Sequence, residues 1–241
     1  MNTLDDNKDS TSIARIKEKF LDKLHEDFTF LSDVVLTQMK KALELLHDNH
    51  NENLVKLLKG NEKIIDLLDL TIKEKVINAI MLFTPRASDL RRLMAYHDMT
   101  ICMERVGDLI DNIRHMLFAM DFSVPGFEPY RKLLDEMFVH AEKMLRSALF
   151  AFSGLDEVSA YETILMDDTA DNMERKIEHD LAMDFCGKAQ DSQGLVNIMY
   201  VNSISYYLER ISDKAVDIAE SAVYLIEGKD IRHAKLPEQR S

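Results

Sequence analysis

Seven glycines and four prolines are all the punctuation that 241 residues carry, and nothing else limits the fold as strongly. Tight turns between strands draw on Gly, Pro and left-handed positions. A sheet protein of this length cannot be assembled from so few, whereas long helices need almost none. Apolar residues recur every three or four positions through nearly the whole chain, which is the helical period. Leu, Met, Ala, Glu, Lys and Ile dominate, and most of them are good helix formers. The expected class is therefore all-α. With 46% apolar and 30% charged residues, the chain is too hydrophobic for disorder and long enough to bury a substantial core.

The few breakers place the elements. A first helix starts near Ser10 to Ser12, carries Ile13, Ile16, Phe20, Leu24, Phe28 and Leu31 on one stripe, and ends in the polar run 47–51. A second covers 52–83 and stops at Thr84 and Pro85; Ser88 with Asp89 launches a third that runs to about Met120. Pro125, Gly126 and Pro129 form the densest breaker cluster, near the midpoint, and mark the boundary between two halves. A fourth helix reaches about Phe152, a fifth covers 156–185 and a sixth 191–227, with Gly154, Gly187 and Gly228 as C-terminal caps. Helices of about 30 residues are about 45 Å long. Short connections make neighbours antiparallel, so the architecture expected is two pseudo-symmetric antiparallel three-helix bundles, six long helices in all. The first repeat is placed at 10–122 and the second at 127–230, with 1–9 and 231–241 as tails.

An internal repeat supports this division. The segment MERVGDLIDNI at 103–113 recurs as LERISDKAVDI at 208–218, an offset of 105 residues. The same offset, without gaps, lays Glu62 on Asp167, Asp66 on Asp171, Asp69 on Glu174 and Met94 on Met199. Half of the identities carry acids or arginine rather than core leucines, which shared amphipathicity alone does not produce.

Those acids fall in rows. Glu104 and Asp108 are four apart, as are Glu209 and Asp213, so each pair projects from one helix face. One turn further come Asn112 and Asp217. Glu62 with Asp66, and Asp167 with Asp171, repeat the pattern on the preceding helix of each half. If these helices align, carboxylates converge in both halves. Like charges about 4 Å apart repel by roughly 1 kcal/mol even in bulk water, and a hard cation relieves that repulsion. All-oxygen donor sets suit Mg²⁺, Mn²⁺, Ca²⁺ or ferric iron. Two other readings stay open: solvated outer-face acids neutralised by Arg105, Arg210 and Lys214, and a docking surface for a basic partner. His97 and His115 lie seven residues outside the 104–108 pair, and neither has a histidine counterpart in the second half.

Composition narrows the function classes. The net charge of −13 and the lack of a Lys/Arg cluster argue against nucleic acid and against adsorption to anionic lipid. Cys102 and Cys186 lack CxxC spacing, so neither a disulfide framework nor a thiolate zinc site is expected. The first dozen residues hold no apolar signal core and no run approaches 18 apolar residues, so direct membrane insertion is not expected. Only Glu44 and His47 show the ExxH spacing of di-iron bundles, and G-x-x-x-x-G-K, GxSxG and HExxH are missing, so no enzyme activity is expected.

The paired signatures, LERISDKAVDIAE and MERVGDLIDNI, resemble those of the PhoU family of phosphate-transport regulators. TPRASDLRRL at 84–93 is similar to that family's P-x-A-x-D-L-R turn, and EKIIDLLDLTI, DDTADNMERKI and the closing EGKDIRHAK are similar to further family segments. The resemblance spans about 13–235. The glycine of the first motif, Gly107, is replaced by Ser212 in the second, and the second half carries AQDSQGLVNI in place of the turn.

The resemblance implies multinuclear iron or zinc clusters held on E(D)xxxD motifs: Glu62, Asp66, Glu104 and Asp108 in one half, Asp167, Asp171, Glu209 and Asp213 in the other, with Asn112 and Asp217 secondary. It also implies a cytoplasmic negative regulator of phosphate uptake and phosphate-starvation signalling, recruited to the inner face of the membrane by a phosphate ABC transporter and a sensor histidine kinase. A homodimer is expected, as repeat-built helical proteins with large exposed faces often dimerise. The alternatives are an accessory of a sodium/phosphate or other metal-linked transporter, and a carboxylate metal-storage or hydrolytic protein.

Overall fold

The computed structural model describes residues 5–231. Most of the two expected tails, residues 1–4 and 232–241, lies outside them. The order is α1 (Asp5–His47), α2 (Glu52–Phe83), α3 (Ala87–Ala119), α4 (Glu128–Gly154), α5 (Glu157–Leu165), α6 (Asp167–Phe185) and α7 (Ser192–Glu227). No strand occurs among the described residues. α1 begins at Asp5, ahead of the expected start, since neither Gly nor Pro stops it earlier.

The single helix expected over 156–185 is divided at Met166 into α5 and α6. Around that residue the ladder tightens: the Met166 N–H donates to Thr163 O at 3.0 Å and Met166 O accepts from the Thr169 N–H at 3.1 Å. His140 on α4 also donates from Nε2 to Met166 O, at 3.1 Å. A side-chain donor drawing on the carbonyl favours this three-residue pattern over regular α geometry. Met166 keeps right-handed helical dihedrals, so α6 follows directly on α5.

Helices α1, α2 and α3 pack on one another, as do α4, α7 and the pair α5 and α6. The halves join where α3 lies against α7 and α1 against α4. α2 buries Leu58, Ile65, Ile72, Val76 and Ala79, one stripe at helical spacing. Each fully buried Leu or Ile contributes about 1.5–3 kcal/mol. α3 is buried on most sides, because it touches α1, α2 and α7 at once. Phe28, Tyr96 and Phe152 from α1, α3 and α4 meet with centroids 5.1–5.7 Å apart. They tie the two halves into one continuous core.

Caps follow local chemistry. Asn51 Oδ1 accepts from the Asn53 and Leu54 N–H groups at 3.0 and 3.1 Å and opens α2; Asp156 and Asp191 open α5 and α7. α3 starts without such a cap, at Arg86, and its Asp89 in the first turn binds Lys17 at 2.7 Å instead of capping. Gly187 and Gly228 adopt positive φ, 70° and 75°, as helix ends require. Gly154 does not; the left-handed position falls on Leu155, with φ 52°.

Candidate metal centres on two carboxylate faces

On the first face α2 presents Glu62 and Asp66 towards Glu104 and Asp108 of α3. Gly107 sets their separation: a Cβ there would lie 3.1 Å from Ile65 Cδ1 and 3.3 Å from Glu62 Oε2. Glu62 is half-buried, and its Oε2 accepts from Nε2 of Gln38, a fully buried residue of α1, at 2.8 Å. Burial, opposed by that hydrogen bond and reinforced by Asp108 within hydrogen-bonding contact, pushes the Glu62 carboxyl up to about 7. Glu104 is raised as well, by burial first and then by Asp108, Asp69 and Asp66. Asp69 is buried and paired with Lys73 at 2.7 Å. Asp111, a further acid acting on Glu62, is held by Arg114 through two bonds of 2.7 and 2.9 Å.

The second face gathers Asp167 and Asp171 of α6 with Glu209 and Asp213 of α7. Burial, with Asp213 and Asp171 beside it, pushes Asp167 up to about 6. Glu209 rises to about 7 through burial and the nearby Asp213, partly offset by Arg210. Its Oε2 is buried without a hydrogen-bond partner. Asp213 is also raised by burial, against the pull of Arg210, which bonds it at 3.1 Å. Arg175 bonds Asp171 at 2.7 Å.

The eight principal acids are therefore brought together in fours. The two secondary residues stand at the edges. Asn112 is exposed and spends an amide N–H on Asp108 O at 2.9 Å. Asp217 is ion-paired with Lys214 and lines a cavity between α3 and α7. Arg105 lines the same cavity. His97 bonds Asp98 at 3.1 Å and His115 is exposed. Three participants were not singled out from sequence. Asp69 and Glu174 carried a signal, since the repeat lays one on the other. Gln38 carried none, because it reaches Glu62 from α1.

No three of the described Asp, Glu, His and Cys side chains close on one point as a ready cage. The donor set nonetheless fits a hard cation in type: it is all oxygen and self-repelling, partly buried except at the exposed Asp66 and Asp108, and it includes the unpartnered Glu209 Oε2. On the second face a bound ion would supply the positive charge now drawn from Arg175 and Arg210.

The molecule is thus an all-α tandem-repeat protein whose two bundles each turn one carboxylate cluster outward. A family model described as PhoU domain matches residues 28–116 and again 134–222. The chain belongs to the PhoU family. It is 30% identical over 223 residues to the phosphate-specific transport system accessory protein PhoU homolog of Aquifex aeolicus, covering 92% of this chain and 97% of that one. It is 26% identical over 213 residues to the accessory protein PhoU of Serratia marcescens, covering 88% and 85%. Crystal structures of PhoU from Pseudomonas aeruginosa and of the phosphate transport regulatory protein PhoU from Streptococcus pneumoniae share the fold. Their TM-scores are 0.80 and 0.78 at 22% identity, covering 88% and 89% of this chain and 99% and 98% of theirs.

Proposed function

We propose that this protein is a non-catalytic regulator of phosphate uptake that docks to a phosphate ABC transporter and a sensor histidine kinase at the cytoplasmic face of the membrane and lowers phosphate-starvation signalling. The observation that carries the reading is the pair of equivalent carboxylate faces in a chain whose relatives are named as accessory proteins of phosphate-specific transport. Among the described residues no helix is long and apolar enough to cross a membrane, so in this reading protein partners supply the attachment.

Glu62, Asp66, Glu104 and Asp108 hold metal on one face, and Asp167, Asp171, Glu209 and Asp213 on the other. Iron or zinc is the first choice; Mg²⁺, Mn²⁺ and Ca²⁺ share the donor preference. The ion supplies charge neutralisation and makes no chemical step. The chain's own residues then present a less repulsive surface beside the exposed Leu67, Leu70, Ile77 and Met81 of α2, an apolar strip of the kind that marks interaction sites. Regulation is a population shift: the partner conformation that fits this surface better is favoured by the difference in affinity.

Metal analysis of protein purified without chelator, with Glu209→Gln/Asp213→Asn as control, tests the ion. Loss of metal from the second face with helix content retained is expected, and equal metal in both proteins defeats that part. Co-purification with transporter and kinase from phosphate-replete cells tests the docking; recovery of neither, with unchanged phosphate-responsive transcription on deletion, defeats it. Sedimentation at working concentration separates docking from use of the same strip in a homodimer.

A further inference from the structure

A cavity of about 230 Å³ lies where the first turns of α3, ahead of Glu104 on the same helix, meet the last turns of α4 and α7. Its polar lining is Ser88, Arg91, Arg92 and Ser153, and Tyr96 and Phe152 wall it. The cavity between α3 and α7 and the one beside Tyr130 each mix bases with acids. This one holds two arginines and no acid, in a chain of net charge −13.

Neither arginine has a carboxylate partner or a hydrogen-bond acceptor among the described residues. Both are instead positioned by aromatic rings. The Arg91 guanidinium lies 5.4 Å from the Tyr224 ring centroid and that of Arg92 lies 5.8 Å from the Tyr96 centroid. Room for Arg91 is kept by Gly228, where a Cβ would come within 2.7 Å of its Nη1. The neighbouring acid, Asp89, is neutralised by Lys17 at 2.7 Å. Two positive charges without a carboxylate partner and two hydroxyls therefore line one partly open space.

We infer that this cavity binds a small phosphate-type oxyanion, either inorganic phosphate or the phosphoryl group of a small ester, held by Arg91, Arg92, Ser88 and Ser153. Guanidinium forks match phosphate oxygens in geometry, and two of them balance a dianion. A carboxylate has one charge and two oxygens, fewer than this donor set can satisfy. The space is smaller than the roughly 300–1,000 Å³ of sites that enclose a drug-sized organic ligand. The site gives the protein a direct means of sensing phosphate and is independent of the metal reading.

Calorimetric titration of the full chain, with chelator present so that no metal bridges phosphate to the carboxylate faces, tests it with inorganic phosphate, glycerol phosphate and acetate. Saturable binding of phosphate or the ester is expected, acetate failing to compete, with affinity reduced at least about tenfold in Arg92→Gln and in Ser153→Glu. Ser153 is exposed, so its variant keeps the arginines and the packing while placing a carboxylate at the mouth; circular dichroism checks both folds. Binding of phosphate alone, or of the ester alone, identifies the source of the phosphoryl group and supports the site. No saturable binding of either, binding that survives both substitutions, or binding that Glu209→Gln weakens instead, overturns it.

Discussion

Burial raises Glu62, Asp167 and Glu209 towards neutrality, and the sign of that shift fixes how stability depends on pH. An acid whose folded value exceeds its unfolded one holds a proton that the unfolded chain releases. Its contribution is whole below the ordinary value, 4.5 for Glu62 and Glu209 and 3.8 for Asp167, and is lost as pH rises through about 7 for the two glutamates and through about 6 for Asp167. In chelator, the thermal midpoint of the wild type relative to Glu62→Gln/Glu209→Gln should therefore fall between about pH 4.5 and 7, and added divalent metal should flatten the difference. A midpoint difference that rises across that window would show that these carboxylates are stabilised in the folded state. Gly107 makes the same point sterically: the close approach of α2 and α3 that crowds Glu62 depends on the missing side chain. Ser212 at the matching place in the second repeat is buried and returns its hydroxyl to Leu208 O at 3.1 Å.

Helix ends are where single substitutions should act most simply. Asn51 satisfies two N–H groups of α2, so Asn51→Ala should lower unfolding free energy by about 1 kcal/mol, read as a lower urea midpoint with unchanged slope. Leu155 ends α4 in the left-handed region and is largely exposed. Leu155→Gly removes a conformational penalty of about 1–2 kcal/mol against a smaller entropic loss, so a modest gain in thermal midpoint is expected. The C-terminus of α3 is held from both sides: Asn49 donates to Leu117 O and Met120 O at 3.2 and 2.6 Å, and Asn197 of α7 donates to Asp121 O at 2.7 Å and accepts from its N–H at 3.1 Å. Replacing the fully buried Asn197 with Leu leaves backbone groups unpaired, and denaturant unfolding should show a loss of about 1–3 kcal/mol.

At the scale of the molecule, α3 against α7 and α1 against α4 join the two repeats over one continuous core. Phe28 is fully buried against Tyr96 and Phe152, so Phe28→Ala should cost about 3–5 kcal/mol, and far-ultraviolet and near-ultraviolet transitions should still coincide. Separate transitions would show that the bundles fold independently. Helical class, the polar run 47–51 between α1 and α2, the Pro85 corner, the break between α3 and α4 and the spacing of the acids along their helices were all legible along the chain, because each is a local period or a local breaker. Met166 was not: its break depends on His140, 26 residues away, drawing on a carbonyl. Nor was Gln38 behind Glu62, which reaches that carboxylate from another helix. Spacing tells which side chains share a helix face, since that is settled within one turn. Which face of a second helix lies opposite and how deeply an acid is buried are settled by packing between segments far apart in the chain, and only the folded arrangement specifies them.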